Sequence, residues 1–166
     1  MLSRVADSLY WLGRYVERAE NLARMVEVTR RDALETFINQ IREDIWKPVI
    51  YATSLSNDLT QEQEDSIKED PAYYITLAEV NPMSIAACIS LARENARTVR
   101  DQLSEEMWLE LNSINLYMKS GKAARAYQSD PETLFRKIIR FSIIFQGLSQ
   151  STSEHDEGWH FSRLGK

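Results

Sequence analysis

Apolar residues recur at steps of three and four along most of the chain, which is the spacing of one face of an α-helix. The first series begins after Ser3, a good N-cap residue, and continues to about Asp32. A second series covers about Leu34 to Leu59, and Pro48 within it is expected to kink the helix or to split it in two. The pattern therefore predicts two helices in the first third of the chain.

The middle of the chain has short segments followed by another long helix. Thr60 and Gln63 have the spacing of a capping box in an acidic stretch that we interpret as a short exposed helix or a loop. Asp70 is expected to open a short helix that continues through Ala78. A third long helix is predicted to begin near Pro82, because proline fits the first helical turn.

The same spacing continues to the end of the chain. The third helix is expected to reach Leu103, and Ser104 is a candidate cap for a further helix that ends at Gly121. After a short basic link, Asp130 begins a strongly apolar helix, and a last helix is predicted from about His155 to the end. Long amphipathic helices with short connections predict an all-α fold, an antiparallel bundle of about four long helices plus short helical turns. The spacing leaves open whether the connectivity is up-and-down or includes a crossover.

Composition supports a single helical domain over residues 1–166 and narrows the classes of function. Only 5 glycines and 4 prolines occur, too few for a fold rich in turns. The net charge of −5 disfavours nucleic-acid binding, which requires a basic face. The longest apolar run, 138–145, is interrupted by Arg140 and is far shorter than a membrane span, so no membrane association is predicted. The single cysteine, Cys88, fits a reducing compartment, and we predict a cytoplasmic protein.

Two polar stripes are the candidate functional residues. Each stripe combines arginine with carboxylate and amide side chains at helical spacing, so its members can hold one another in pairs. If the two helices face each other, the stripes would form a partly buried Glu/Arg network. The residues are Arg14, Glu17, Arg18, Asn21 and Arg24 on the first helix, and Arg93, Glu94, Asn95, Arg97, Arg100 and Asp101 on the third. The interpretations left open are solvated or mutually paired faces, and a site for an anionic or carboxylate-bearing ligand.

Other chemistry has weaker support. Glu157 and His160 have the E-x-x-H spacing of di-iron bundles, but the chain has 2 histidines and no second such pair, so we predict no metal and no other cofactor. Cys88 lies on an apolar helix face and is expected to be buried and inert. No catalytic residue is assigned, and whether the protein is an enzyme is left open.

Several segments resemble the Alpha-E family of all-helical bacterial proteins, which is named for a Glu-Arg motif. The segments are SLYWLGRYVERAEN from Ser8, NP with SI from Asn81, ARENAR from Ala92, VRDQLS from Val99, EMW with LN from Glu106, and DEGWHF from Asp156. The resemblance assigns the motif to Glu17 and Arg18, but it gives these residues no role, catalytic or other, because none is known for the family.

The resemblance also implies a repeat. Family members are typically about twice as long and continue into a second copy of the motif, and Leu164-Gly165-Lys166 here matches Leu12-Gly13-Arg14. We therefore interpret residues 1–166 as the N-terminal half of an internally repeated domain, and we expect a homodimer in which one chain substitutes for the other's missing half.

The companions of the family suggest the function. Its members are typically encoded beside, or fused to, ATP-grasp-like and transglutaminase-like proteins. The first hypothesis is a non-catalytic partner or scaffold for such enzymes, which make or modify peptides. The alternative is an enzyme that acts on a peptide or carboxylate-bearing substrate through the Glu/Arg network.

Overall fold

The chain folds into nine α-helices within the parts that the structure describes. The computed structural model describes residues 3–35, 39–53, 59–152 and 157–165, and no strand occurs among them. The helices are α1 (Ser3–Glu35), α2 (Asn39–Thr53), α3 (Gln61–Glu69), α4 (Pro71–Thr76), α5 (Ile85–Thr98), α6 (Glu105–Lys119), α7 (Lys122–Ser129), α8 (Pro131–Thr152) and α9 (Glu157–Leu164), with a 3₁₀ turn at Arg100–Gln102. The all-α prediction is confirmed.

Four helices form a closed ring around the core. Each of α1, α5, α6 and α8 packs against the next in chain order, and α8 packs against α1. The core side chains of this ring are almost wholly inaccessible to solvent, including Leu12, Ile89, Leu111 and Ile138. The helices of the ring are therefore neighbours in the order in which they follow one another along the chain.

Contacts between side chains give the directions of these helices. Arg93 of α5 contacts Asn112 of α6, while Arg100, further along, contacts Trp108, which comes earlier in α6. Since later residues of one helix meet earlier residues of the other, α5 and α6 are antiparallel. By the same reasoning α1 is antiparallel to α8, because Glu20 contacts Ser142 whereas Arg30 contacts Tyr127, just before α8.

Capping residues set several helix boundaries as the sequence predicted. The Thr60–Gln63 capping box begins α3, and Ser104 accepts a hydrogen bond from the backbone N–H of Met107 at the start of α6. At the end of α6, Gly121 has φ of +74°, a conformation that glycine adopts without strain. Asp130 begins α8 and accepts a hydrogen bond from the backbone N–H of Thr133.

The predicted second long helix requires three corrections. Leu34 belongs to α1, and Leu59 lies outside any helix. Pro48 lies inside a helix that continues to Thr53, so of the two alternatives the split is wrong. In addition, α2 packs against α1 and α4 and is not one of the four helices of the ring. The fourth helix of the ring is α6 instead.

Other boundaries differ because side-chain hydrogen bonds or local packing compete with the apolar pattern. Asn81 donates to the carbonyl of Tyr74 and accepts from the N–H of Met83, which holds Pro82 in a turn, so α5 begins only at Ile85. It ends at Thr98 rather than near Leu103.

The last two differences lie near the C-terminus. The supposed basic link is α7, held to the core by Ala123 and Tyr127. The last helix, α9, ends at Leu164 instead of continuing, and the predicted start at His155 lies outside the described residues.

Candidate functional site

The two predicted polar stripes do not form one network. The inner faces of α1 and α5, which pack together, carry buried alanines, Ala19 and Ala23 on α1 and Ala92 and Ala96 on α5. Small side chains let two backbones approach closely and leave no room for long polar groups between them. Among the described residues, no hydrogen bond or ion pair joins the α1 stripe to the α5 stripe. Each stripe instead contacts other elements.

The Glu-Arg pair of α1 lies beside α2 and α5. Arg18 donates from Nη2 to the carbonyl oxygen of Thr53 at the end of α2, over 2.9 Å. Glu17 is 27% exposed, and one oxygen lies 3.9 Å from a guanidinium nitrogen of Arg14. That oxygen, Oε2, and Nε of Arg18 are both buried and form no hydrogen bond with any group that the structure describes. Buried polar atoms are usually hydrogen-bonded, so this pair is an exception within the motif.

Arg24 belongs to a contact that sequence reasoning missed, centred on Glu20. Oε1 of Glu20 accepts two hydrogen bonds from Arg24, at 3.0 and 2.8 Å. Its Oε2 accepts from Oγ of Ser142 at 2.6 Å and from Nε2 of Gln146 at 3.0 Å. Glu20 therefore ties α1 to α8. The spacing of four between Glu20 and Arg24 was visible in the sequence, whereas the partners on α8 were not. The remaining member of the stripe, Asn21, is exposed.

The second stripe surrounds Trp108 of α6. The guanidinium carbons of Arg93 and Arg100 each lie 5.5 Å from the centre of the indole ring, which is within the range of cation–π attraction. Arg93 also donates from Nε to Oδ1 of Asn112 over 2.9 Å, and Arg100 donates to the carbonyl of Leu103. These contacts fix α6 against the end of α5.

The other members of the second stripe lie at the surface. Glu94 pairs with Arg93 at 2.8 Å and with Arg97 at 3.0 Å, but Arg97 itself is 70% exposed. Asn95 donates to a backbone carbonyl of its own helix, and Asp101 accepts from the neighbouring Gln102. Arg97 thus pairs with Glu94 as their spacing along the helix allows, whereas no contact of Arg97 with Asp101 occurs among the described residues.

Two glycines bring the backbones of α1 and α9 together. A Cβ at Gly13 would overlap the carbonyl oxygen of Ser162, and a Cβ at Gly165 would overlap the carbonyl oxygen of Tyr10. Each glycine thus contacts the residue three positions before the other glycine. The two contacts are equivalent under exchange of the helices, and they make α1 and α9 antiparallel.

The E-x-x-H pair is not assembled into a site in the part of the chain that the structure describes. The side chain of Glu157 and all of His155 lie outside that part, and His160 is exposed and packs edge-on against Trp159. Within the described ranges, no group of three or more His, Cys, Asp or Glu side chains is placed to hold a metal ion.

Cys88 and Tyr127 are buried titratable groups that belong to neither stripe. Cys88 is fully buried, as predicted, and burial raises the pKa of its thiol to about 11 despite the nearby Arg18, which makes it a poor nucleophile. Near the other end of α1, the hydroxyl of Tyr127 donates to both oxygens of Asp70 at 2.9 Å. Burial and the charge of Asp70 raise the pKa of Tyr127, while Arg30, stacked on its ring, opposes the shift.

The chain is similar in sequence to known mycobacterial proteins. It is 27% identical over 98% of its length to an uncharacterised protein of Mycobacterium bovis and to uncharacterised proteins of two strains of Mycobacterium tuberculosis. The chain spans about a fifth of the length of these relatives. No solved structure matches it, and no helix in the described ranges is long and apolar enough to cross a membrane.

The family model of Alpha-E, described as a predicted alpha-helical domain with a conserved ER motif, matches residues 1–166. Glu17-Arg18 is the one adjacent Glu-Arg pair in the sequence. The chain belongs to the Alpha-E family.

Proposed function

We propose that this chain is a non-catalytic helical partner, or scaffold, of ATP-grasp-like or transglutaminase-like enzymes that make or modify peptides. The observation that carries the proposal is that arginines of both polar stripes are held by contacts within the protein. Two of them bond to backbone carbonyls, Arg18 to that of Thr53 and Arg100 to that of Leu103. Arg24 bonds to the carboxylate of Glu20, and Arg93 bonds to the side chain of Asn112. Arg93 and Arg100 also contact the indole of Trp108. Side chains occupied in this way stabilise a shape, and a stable shape is what a binding partner recognises.

Co-purification tests this proposal. The chain, carrying an affinity tag, is expressed together with an ATP-grasp-like protein from the same organism, and the complex is analysed by size-exclusion chromatography. We expect the two proteins to elute together, whereas an unrelated tagged helical protein should elute alone. Separate elution at micromolar concentrations would reject the partnership. We place the complex in the cytoplasm, because an ATP-dependent partner needs a supply of ATP.

We also propose a homodimer and an internal repeat. Leu34, Tyr51 and Leu164 are each more than half exposed, and exposed apolar side chains of this size favour association. The equivalent contacts of Gly13 and Gly165 support the proposal that α9 opens a second copy of the α1 motif. Light scattering that gives the mass of a monomer at micromolar concentration would reject the homodimer.

One observation favours the alternative of an enzyme acting on a peptide or a carboxylate-bearing substrate. Oε2 of Glu17 and Nε of Arg18 are buried without hydrogen-bond partners among the described residues, and a bound substrate could supply them. If this is correct, Glu17→Gln reduces the output of the companion pathway while the complex still forms, whereas Arg97→Ala, on the separate α5 stripe, leaves that output unchanged. Full output from Glu17→Gln would reject the enzyme.

A further inference from the structure

A basic groove lies between α6 and α8, on the side of the ring away from the Glu-Arg motif. It encloses about 430 Å³, and Ile114, Phe141 and Ile144 supply its apolar surface. The α8 side carries Arg136, Lys137 and Arg140, and the α6 side carries a single acid, Glu110. The groove is therefore positively charged on a chain whose net charge is −5.

The three basic side chains differ in how far the protein itself occupies them. Arg136 pairs with Glu132 at 2.6 Å, and the ammonium of Lys137 lies 4.8 Å from the ring centre of Tyr117. Arg140 forms no hydrogen bond or ion pair with any residue in the described part of the chain, although it is in the middle of α8. A guanidinium in this position is available to a carboxylate from outside.

Two exposed leucines of α6, Leu109 and Leu116, lie beside the groove, next to its lining residue Ser113. Leu109, Ser113 and Leu116 follow one another at steps of four and three, so they share one face of the helix. Leu109 is 56% exposed and Leu116 is 59% exposed. An amphipathic helix bound here would place its charged face against the basic residues of α8 and its apolar face against the leucines of α6.

We propose that this groove binds an acidic amphipathic helix of a partner protein, an inference that rests on the proposed function and names the surface through which it acts. Charge complementarity favours an acidic occupant. Arg140 lies three residues after Lys137 and four residues after Arg136, so the basic groups share one side of α8. Carboxylates at the same spacing on a partner helix lie on one face and can meet them. The apolar face of that helix then covers Leu109 and Leu116, as in other helix-in-groove complexes.

A synthetic peptide tests the groove directly. The probe is a fluorescent acidic helix of about 18 residues, roughly 27 Å long, with glutamates on one face and leucines on the other. Fluorescence anisotropy should detect binding at micromolar concentrations. A peptide of the same composition with its glutamates distributed around the helix should bind about tenfold more weakly, which is about 1.4 kcal/mol. Absence of binding by the first peptide, or tighter binding of a single-stranded oligonucleotide, would overturn the proposal.

Variants of opposite sign locate the binding site. Arg140→Glu should weaken binding of the peptide by about tenfold or more, and Glu110→Gln should strengthen it, because one adds and the other removes negative charge in the groove. Lys122→Glu, at an exposed position of α7, makes the same change in net charge as Arg140→Glu and should leave affinity unchanged. Equal weakening by Lys122→Glu and Arg140→Glu would overturn the proposal. Circular dichroism confirms that each variant is folded.

The same variants separate this inference from the proposed function. If the wild-type chain elutes with the ATP-grasp-like protein and Arg140→Glu elutes with it equally well, the partnership stands and the groove is not its surface. If the wild-type chain does not associate with that protein, the partnership fails, whereas the peptide titration still decides whether the groove binds acidic helices.

Discussion

Replacing Gly13 with alanine tests whether direct backbone contact holds α9 on α1. The added Cβ would overlap the carbonyl oxygen of Ser162 and would lie 3.2 Å from its carbonyl carbon. Because these atoms belong to the backbone, no side-chain rotation relieves the overlap, and the two helices have to move apart. We expect α9 to detach from α1 while the ring of α1, α5, α6 and α8 remains folded.

The size of the effect follows from two opposing contributions. Alanine in the interior of a helix is more favourable than glycine by about 1 kcal/mol, which stabilises α1 itself. Overpacking of a tight contact costs about 1–3 kcal/mol. The net change at Gly13 is therefore expected to lie between no effect and a loss of about 2 kcal/mol.

Gly147 provides a matched control. It lies in the interior of α8, and a Cβ there would have no neighbour within 4 Å. Gly147→Ala should therefore stabilise the protein by about 0.4–1 kcal/mol. Since both substitutions gain the same helix preference, the difference between them, about 1–3 kcal/mol, measures the cost of the contact at Gly13.

Two measurements decide the outcome. Urea unfolding followed by circular dichroism gives the free energy of unfolding of each variant, and hydrogen exchange reports on the amides of Glu157–Leu164. Exchange in α9 should accelerate in Gly13→Ala and remain unchanged in Gly147→Ala. The reasoning is refuted if Gly13→Ala is as stabilising as Gly147→Ala and leaves the exchange of α9 at the wild-type rate.

Three further predictions concern buried groups. Glu20→Ala leaves the hydroxyl of the fully buried Ser142 without its carboxylate acceptor and should cost about 1–3 kcal/mol in urea unfolding; Ser142→Ala in the same chain should recover part of that loss. Tyr127→Phe removes the hydrogen bonds to the carboxylate of Asp70 and should lower the free energy of unfolding by about 1.5–3 kcal/mol, and an unchanged value would contradict this assignment. The pKa of Cys88 is raised to about 11 from 9.0, so the native state keeps a proton that the unfolded state loses; between these pH values stability should fall with rising pH by about 2–3 kcal/mol. Cys88→Ala should remove the part of the fall between pH 9 and 10, before the tyrosines ionise, as urea unfolding at several pH values would reveal.

The sequence predicted elements best where an apolar series is long or a cap is present. The series that begins at Ser3 gave α1 to within a few residues, and Asp130 and Ser104 began helices where their side chains accept backbone hydrogen bonds. It failed at α7, which buries only Ala123 and Tyr127, because two contacts over two turns are too few to define a period. Of the two alternatives at Pro48, the split did not occur, because the rest of α2 compensates for one missing backbone hydrogen bond.

The candidate site was predictable within each helix and not between helices. Spacing along one helix gave the pairs of Arg14 with Glu17 and of Glu94 with Arg97. It could not show that Arg93 would contact Asn112, because that contact depends on which faces of α5 and α6 meet. The facing network failed for a related reason: α1 and α5 pack together, but among the described residues no hydrogen bond or ion pair joins their two polar stripes.

The residues that stabilise the fold and the residues proposed to bind a partner are consequently different. Glu20 lies on α1, two residues after the motif, and bonds to α8, so its loss should destabilise the fold and weaken binding only as a result of that. Arg140 has no partner among the described residues, so its reversal should leave the free energy of unfolding nearly unchanged and still weaken binding. A protein that acts through its shape should show this separation. An enzyme whose site is the Glu-Arg motif should instead lose activity through Glu17 at constant stability, so measuring stability and association on the same variants distinguishes the two functions.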